Sequence, residues 1–133
     1  MIRNVLCAVS FNHHNHKTVS WAARIADKFG ARLSLAHVTP GVESWGPGGT
    51  FVDPGLKETL SANASRSLAE LQLAMGTNAE VFVGGGDVPT VLSQAATQIG
   101  ADLLVTGSRP YGVRLRTHCY GIICAMQIPV LSV

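Results

Sequence analysis

Charge is scarce in this sequence. Asp, Glu, Lys and Arg make up only 14% of its 133 residues, and the formal net charge is +2. A balance so near neutral excludes the strongly basic footprint of a nucleic-acid-binding domain, so no nucleic-acid partner is expected. Cysteine is sparse as well. Three is an odd number and fits no disulfide framework. Cys119 and Cys124 are too far apart for a metal-ligand pair, and Cys7 stands in an apolar run, where a buried thiol is the ordinary outcome. The cysteine usage fits a reducing compartment, and a cytoplasmic protein is expected. No stretch reaches the ~18 apolar residues of a membrane span, so no membrane partner is expected. The opening "MIRNVLCAVS" lacks the layout of a secretory signal and reads as a strand. The G-x-S-x-G elbow, the Walker P-loop and paired acids on one rim are all absent. No catalytic residue is therefore expected.

Apolar residues are what the chain has in quantity, at 47%. At this length they suffice for one core, and a single domain over 1–133 is expected. With so few surface charges, part of the apolar surface is expected to be covered by another copy. The runs are punctuated regularly. "NVLCAVS" (4–10) reads as a strand buried on both faces. From Asn12, which can serve as an N-cap, the period changes to helical, with Val19, Ala22, Ala23, Ala26 and Phe29 on one stripe and Gly30 as the stop. "RLSLAHV" (32–38) is a second strand. Residues 39–55 hold three prolines and five glycines and read as a long loop of undetermined conformation. Leu56, Leu60, Ala64, Leu68, Leu71 and Met75 then repeat at helical spacing up to Gly76. "AEVFV" (79–83) is a third strand. Asp87 can cap the next helix, which has Pro89 in its first turn, turns Val91, Leu92, Ala95 and Ile99 inward, and ends at Gly100. "DLLVTG" (102–107) is a fourth strand, a short helical piece carries Ile122, Ile123 and Met126, and "IPVLSV" (128–133) is a fifth. This alternation predicts an α/β protein with a parallel sheet, right-handed crossovers and helices on both faces.

Ligands in such sheets bind beyond the carboxyl ends of the strands, at the topological switch point. The loops there are 10–16, 38–55, 84–88 and 107–117. The last belongs to "GSRPYGVRLRTH", with glycines at 107 and 112, hydroxyls at Ser108 and Thr117, and Arg109, Arg114 and Arg116. Arginines pair with phosphate oxygens, and Thr117 can cap the final helix, whose amides favour an anion. The plain alternative is a solvated basic loop ending in an ordinary threonine cap. "FNHHNH" (11–16) places His13 and His16 at i, i+3, with His37 at the end of a neighbouring strand. Three imidazoles on one rim could hold a divalent metal, but neither a carboxylate nor a paired cysteine supports them, and solvent-exposed histidines are the simpler reading. "GGGDVP" (84–89) could approach a ligand closely, or could simply turn the chain out of its strand.

Taken in order, these segments resemble a single-domain universal stress protein along the whole chain. The resemblance rests on "NVLCAVS", Trp21 in the first helix, "LSLAHV", "GDVPTVL", "ADLLVTGSR" and "IPVLSV". It implies a doubly wound, five-stranded parallel sheet in order 3-2-1-4-5 and a cytoplasmic homodimer joined through the C-terminal strand 128–133. The exposed edge of that strand would otherwise carry unpaired backbone groups. Members of the family that bind ATP carry an aspartate at the end of strand one, where this chain has Ser10, followed by Phe11 in place of a small glycine. They also carry G-x2-G-x9-G followed by Ser or Thr. Here the first glycine is Gly107, and Pro110 stands at the second, removing an amide donor. The third falls on Tyr120 counted forward, or on Arg116, with Thr117 following, counted back from "PVLSV"; the second register gives a capped final helix. In both, a side chain crowds where glycine would admit phosphate. The resemblance thus implies a stress-response regulatory or binding protein with a degenerate ATP motif, an unidentified protein partner and no required cofactor. The alternative keeps ATP or AMP, with the base near Ser10 and Val38 and the phosphates at Gly107, Ser108, Arg109, Gly112, Arg114, Arg116 and Thr117. Weak ATP hydrolysis ranks last, because no base or magnesium-binding acid is evident.

Overall fold

The computed structural model describes residues 1–9, 15–39, 54–107 and 121–133. Five strands form one parallel sheet: β1 (Asn4–Ala8), β2 (Arg32–Thr39), β3 (Glu80–Gly85), β4 (Leu103–Thr106) and β5 (Val130–Ser132), in the order β3-β2-β1-β4-β5. Three helices link them: α1 (Asn15–Phe29), α2 (Pro54–Met75) and α3 (Val88–Ile99). Residues 121–125 are also helical.

The two-residue alternation of the central strands builds the layers. Val5, Cys7 and Val9 of the first strand segment, with Leu35, Leu103 and Val105, meet Val19, Ala22 and Ala26 of α1 and Leu68 and Leu71 of α2. Leu6, Ala36 and Leu104 point the other way, toward Leu92, Ala95 and Ala96 of α3 and Ile122. Both faces are therefore covered, as an all-parallel sheet requires. Each fully buried leucine, such as Leu6, Leu35 or Leu104, contributes about 1.5–3 kcal/mol of apolar transfer.

Local signals set the helix ends. Asp87 caps α3, its carboxylate accepting from the amide of Thr90 at 3.2 Å and from Thr90 Oγ1 at 2.6 Å, with Pro89 in the first turn. Gly100 closes α3 in the left-handed region, at φ +66°, where a side chain would be strained.

Several boundaries differ from the sequence reading. The expected loop 39–55 loses its ends: Thr39 belongs to β2, and Pro54 and Gly55 to α2, since proline's fixed φ suits a first helical turn. Gly84 and Gly85, expected in a turn, extend β3 and pair with Val38 and Thr39. Ladder pairing outweighs glycine's low strand preference there. β1 ends at Ala8, although the amide of Val9 still donates to Ala36 O at 2.8 Å, and Ser10 lies outside the described residues. β4 and β5 are each shorter than 102–107 and 128–133. Asp102 precedes β4; its amide still donates to Asn4 O at 2.8 Å, and its carboxylate accepts from the amides of Arg3 and Asn4, at 2.8 and 3.0 Å. Phe29, expected on the inward stripe of α1, is exposed as its last residue, just before the turn into β2. Ile123 is also exposed, 100° around the helix from the buried Ile122.

Candidate functional site

The carboxyl ends of β1, β2 and β4 lie side by side at the switch point, where connections leave toward opposite faces. Three links hold this rim.

The first is His37. Its Nδ1 lies 2.8 Å from Val9 O. A carbonyl only accepts, so Nδ1 carries the proton and donates, tying the end of β2 to the residue after β1. Burial lowers the pKa of this imidazole, and the bond to Val9 opposes that only in part. The neutral form is therefore favoured near pH 7. Val38, the next residue, is half-buried and packs on the α3 side, against the cluster of Leu6, Leu92 and Leu104.

The second is the junction of β4 with α1. A Cβ on Gly107 would sit 3.3 Å from Thr18 Oγ1. Thr18 is buried, so the first turns of α1 close the space behind Gly107.

The third is the glycine-rich end of β3. A Cβ on Gly84 would lie 2.6 Å from Val91 Cγ1 and 3.1 Å from the Phe82 ring. The room this glycine leaves is taken by Val91 of α3, a packing role that neither reading of "GGGDVP" contained. Asp87, in the same segment, is engaged as a cap. Gly121 makes a similar approach: a Cβ there would meet Pro89 Cγ at 3.0 Å, so Gly121 lies against the first turn of α3.

Of the nucleotide-site residues drawn from the sequence, Val38 and Gly107 are placed at this rim. Ser10, Ser108, Arg109, Gly112, Arg114, Arg116 and Thr117 lie outside the described residues. So does His13 of the metal reading. His16 is exposed on α1, and His37 is engaged with Val9 O. Among the described residues, no group of three His, Cys, Asp or Glu side chains is arranged to hold a metal. The sequence flagged His37 for metal binding but carried no signal for its bond to Val9. Thr18 had no signal beyond a polar residue on the inward side of α1.

The universal stress protein family model matches residues 1–119. The chain belongs to the universal stress protein family. A universal stress protein A homologue of Pasteurella multocida is 32% identical over 111 residues, covering 80% of this chain and 77% of that protein. A universal stress protein family structure from Burkholderia pseudomallei superimposes with a TM-score of 0.77 at 22% identity, covering 99% of this chain and 96% of that one. The universal stress protein of Archaeoglobus fulgidus, solved in complex with dAMP, gives 0.69 at 20% identity, covering 99% and 98%. At such identities the structural likeness speaks for the fold, and the expected 3-2-1-4-5 order of a universal stress protein is the one found. Among the described residues, no helix is long and apolar enough to cross a membrane.

Proposed function

We propose that this universal stress protein is a stress-response regulatory or binding module that does not hold ATP in the manner of the family's ATP-binding members, and that it is not an enzyme. One observation carries the reading. Val9 continues the β1 ladder through its bond to Ala36 O, and Ser10, which follows it in the sequence, stands where ATP-binding members carry an aspartate. Pro110 and Arg116 in place of glycine support the same reading. A hydroxyl replaces a carboxylate acceptor, and side chains crowd the backbone cradle.

A second reading is consistent with the dAMP complex of the Archaeoglobus fulgidus protein. In it an adenine nucleotide, ATP or AMP, rests its base near Ser10 and Val38 and its phosphates against Gly107, Ser108, Gly112, Thr117 and the arginines at 109, 114 and 116. The arginines then supply by charge what the lost glycine amides supplied by geometry. Weak ATP hydrolysis is the third reading, and it requires phosphate release that a loop mutation abolishes.

Thermal unfolding with millimolar ATP and Mg²⁺ separates these readings. A ligand at a hundredfold over its dissociation constant stabilises the folded state by ~2.7 kcal/mol. An unchanged melting temperature is expected. A clear rise that Arg109→Ala removes establishes the second reading instead.

The same reading includes a cytoplasmic homodimer. β5 is the outermost strand beyond β4, and Leu131 on it is exposed, so a symmetric partner can cover that edge. A dimer that survives removal of residues 128–133 overturns this proposal.

A further inference from the structure

The solvent face of α1 carries Lys17, Trp21, Arg24 and Lys28, all exposed. At 100° per residue these four fall within a stripe about 60° wide and about 16 Å long. Arg24 lies over the Trp21 ring, its guanidinium carbon 5.8 Å from the centroid, an approach at which the cation and the ring attract. Asp27, the acid of this helix, stands on the flank of the stripe rather than within it.

Helix stability does not account for this row. Lys28 suits the negative end of the helix dipole, but Lys17 stands in the first turns, where a cation is unfavourable and acids are absent from the first turn. Arg24 and Lys28 are like charges at i, i+4, which repel. Core packing does not account for it either, because the inward face of α1 is formed by Thr18, Val19, Ala22 and Ala26. Trp21 remains 43% exposed, which is unusual for an indole and typical of an interface anchor.

We propose that this face of α1 docks an acidic segment of a partner protein, with an apolar residue of the segment against Trp21 and its carboxylates on Lys17, Arg24 and Lys28. The stripe spans about five residues of extended chain. Among the described residues, a second copy offers no complementary acidic row. The exposed acids of the described residues, Asp27, Glu70, Glu80 and Asp87, are scattered over α1, α2, the start of β3 and the cap of α3 and form no matching row. The proposal is independent of any nucleotide at the rim, since it uses only the outer side of α1.

The test uses the full chain with Trp45→Phe, which leaves Trp21 as the fluorescent reporter. The probe is a short peptide of glutamates flanking a central leucine. Saturable change in Trp21 emission is expected, weakening with salt and falling by about tenfold or more in Lys17→Glu/Arg24→Glu/Lys28→Glu. That variant is expected to gain affinity for the lysine version of the peptide, which shows that it remains folded and competent. A milder Lys17→Gln/Lys28→Gln pair should weaken acidic-peptide binding by a smaller factor. Failure of the acidic peptide to bind, or binding unchanged by charge reversal, overturns the proposal. So does tighter binding of phosphatidylserine vesicles or of a single-stranded oligonucleotide than of the peptide, which would assign the face to a membrane or a nucleic acid.

Discussion

The two ends of this parallel sheet are tied in opposite ways. At the amino end, a carboxylate does the work. Asp102 accepts from the amides of Arg3 and Asn4, and the Asn4 side chain donates to Gly100 O, all at a partly exposed edge. At the carboxyl end, a half-buried neutral imidazole spans from His37 to Val9, and glycines at 84 and 107 let helices come close. The first arrangement is an ionic clasp that water can partly replace. The second depends on shape and on an uncharged group. The difference suits the doubly wound plan, in which the amino end is scaffold and the carboxyl end receives ligands.

The largest effect is expected from spoiling the shape of the carboxyl end. Gly84→Val places a side chain where Val91 already sits, and denaturant unfolding should show a loss of about 1–3 kcal/mol from overpacking. Next comes His37→Ala, which removes the tie to Val9 and should cost about 0.5–1.5 kcal/mol by the same measurement. The pH dependence of this residue sharpens the contrast. Its folded pKa lies below the ordinary value of 6.5, so the unfolded chain takes up the proton first. The stabilisation is complete above pH 6.5 and is lost as pH falls through the lower folded value. Melting temperatures should therefore decline on acidification below pH 6.5 in the wild type, and less steeply in His37→Ala.

At the amino end, Asp102→Ala should lower the melting temperature at neutral pH by less than His37→Ala does, since water reaches the freed amides. Here the two amide bonds, from Arg3 first and Asn4 second, lower the carboxyl pKa below its ordinary 3.8. The contribution is present above that value and disappears as pH falls below it, so the gap between wild type and Asp102→Ala should close only in strong acid. The smallest effect concerns reactivity alone. Burial pushes the Cys7 thiol up to about 12, while Cys124 is exposed. Of these two, Cys124 should react with a thiol reagent in the native protein and Cys7 only on unfolding.

Much of the fold was legible because its signals are local. The apolar runs located the strands, and Asp87, Pro89 and Gly100 marked the ends of α3 through chemistry confined to one or two turns. The alternation in "NVLCA" even separates the two layers, since period-two patterning needs no knowledge of partners. The site was less legible. Val38 and Gly107 were placed at the rim by counting strands, whereas the bond from His37 to Val9 joins residues 28 apart, and no local pattern encodes it. Gly84 read as part of a turn because its reason for being glycine, the Val91 side chain, belongs to the next helix.

The sequence by itself determined the order of elements, the helix caps, the faces of the central strands and the departures at Ser10, Pro110 and Arg116 from an ATP-binding pattern. These follow from residue type and spacing, which act over one or two turns. The tertiary structure alone decided that the clasp at Asp102 and the tie at His37 exist, that Gly84 serves packing, that Phe29 stays outside, and that the basic face of α1 is left uncovered. Each of these depends on which distant segment arrives alongside, and that is set only when the sheet closes its register.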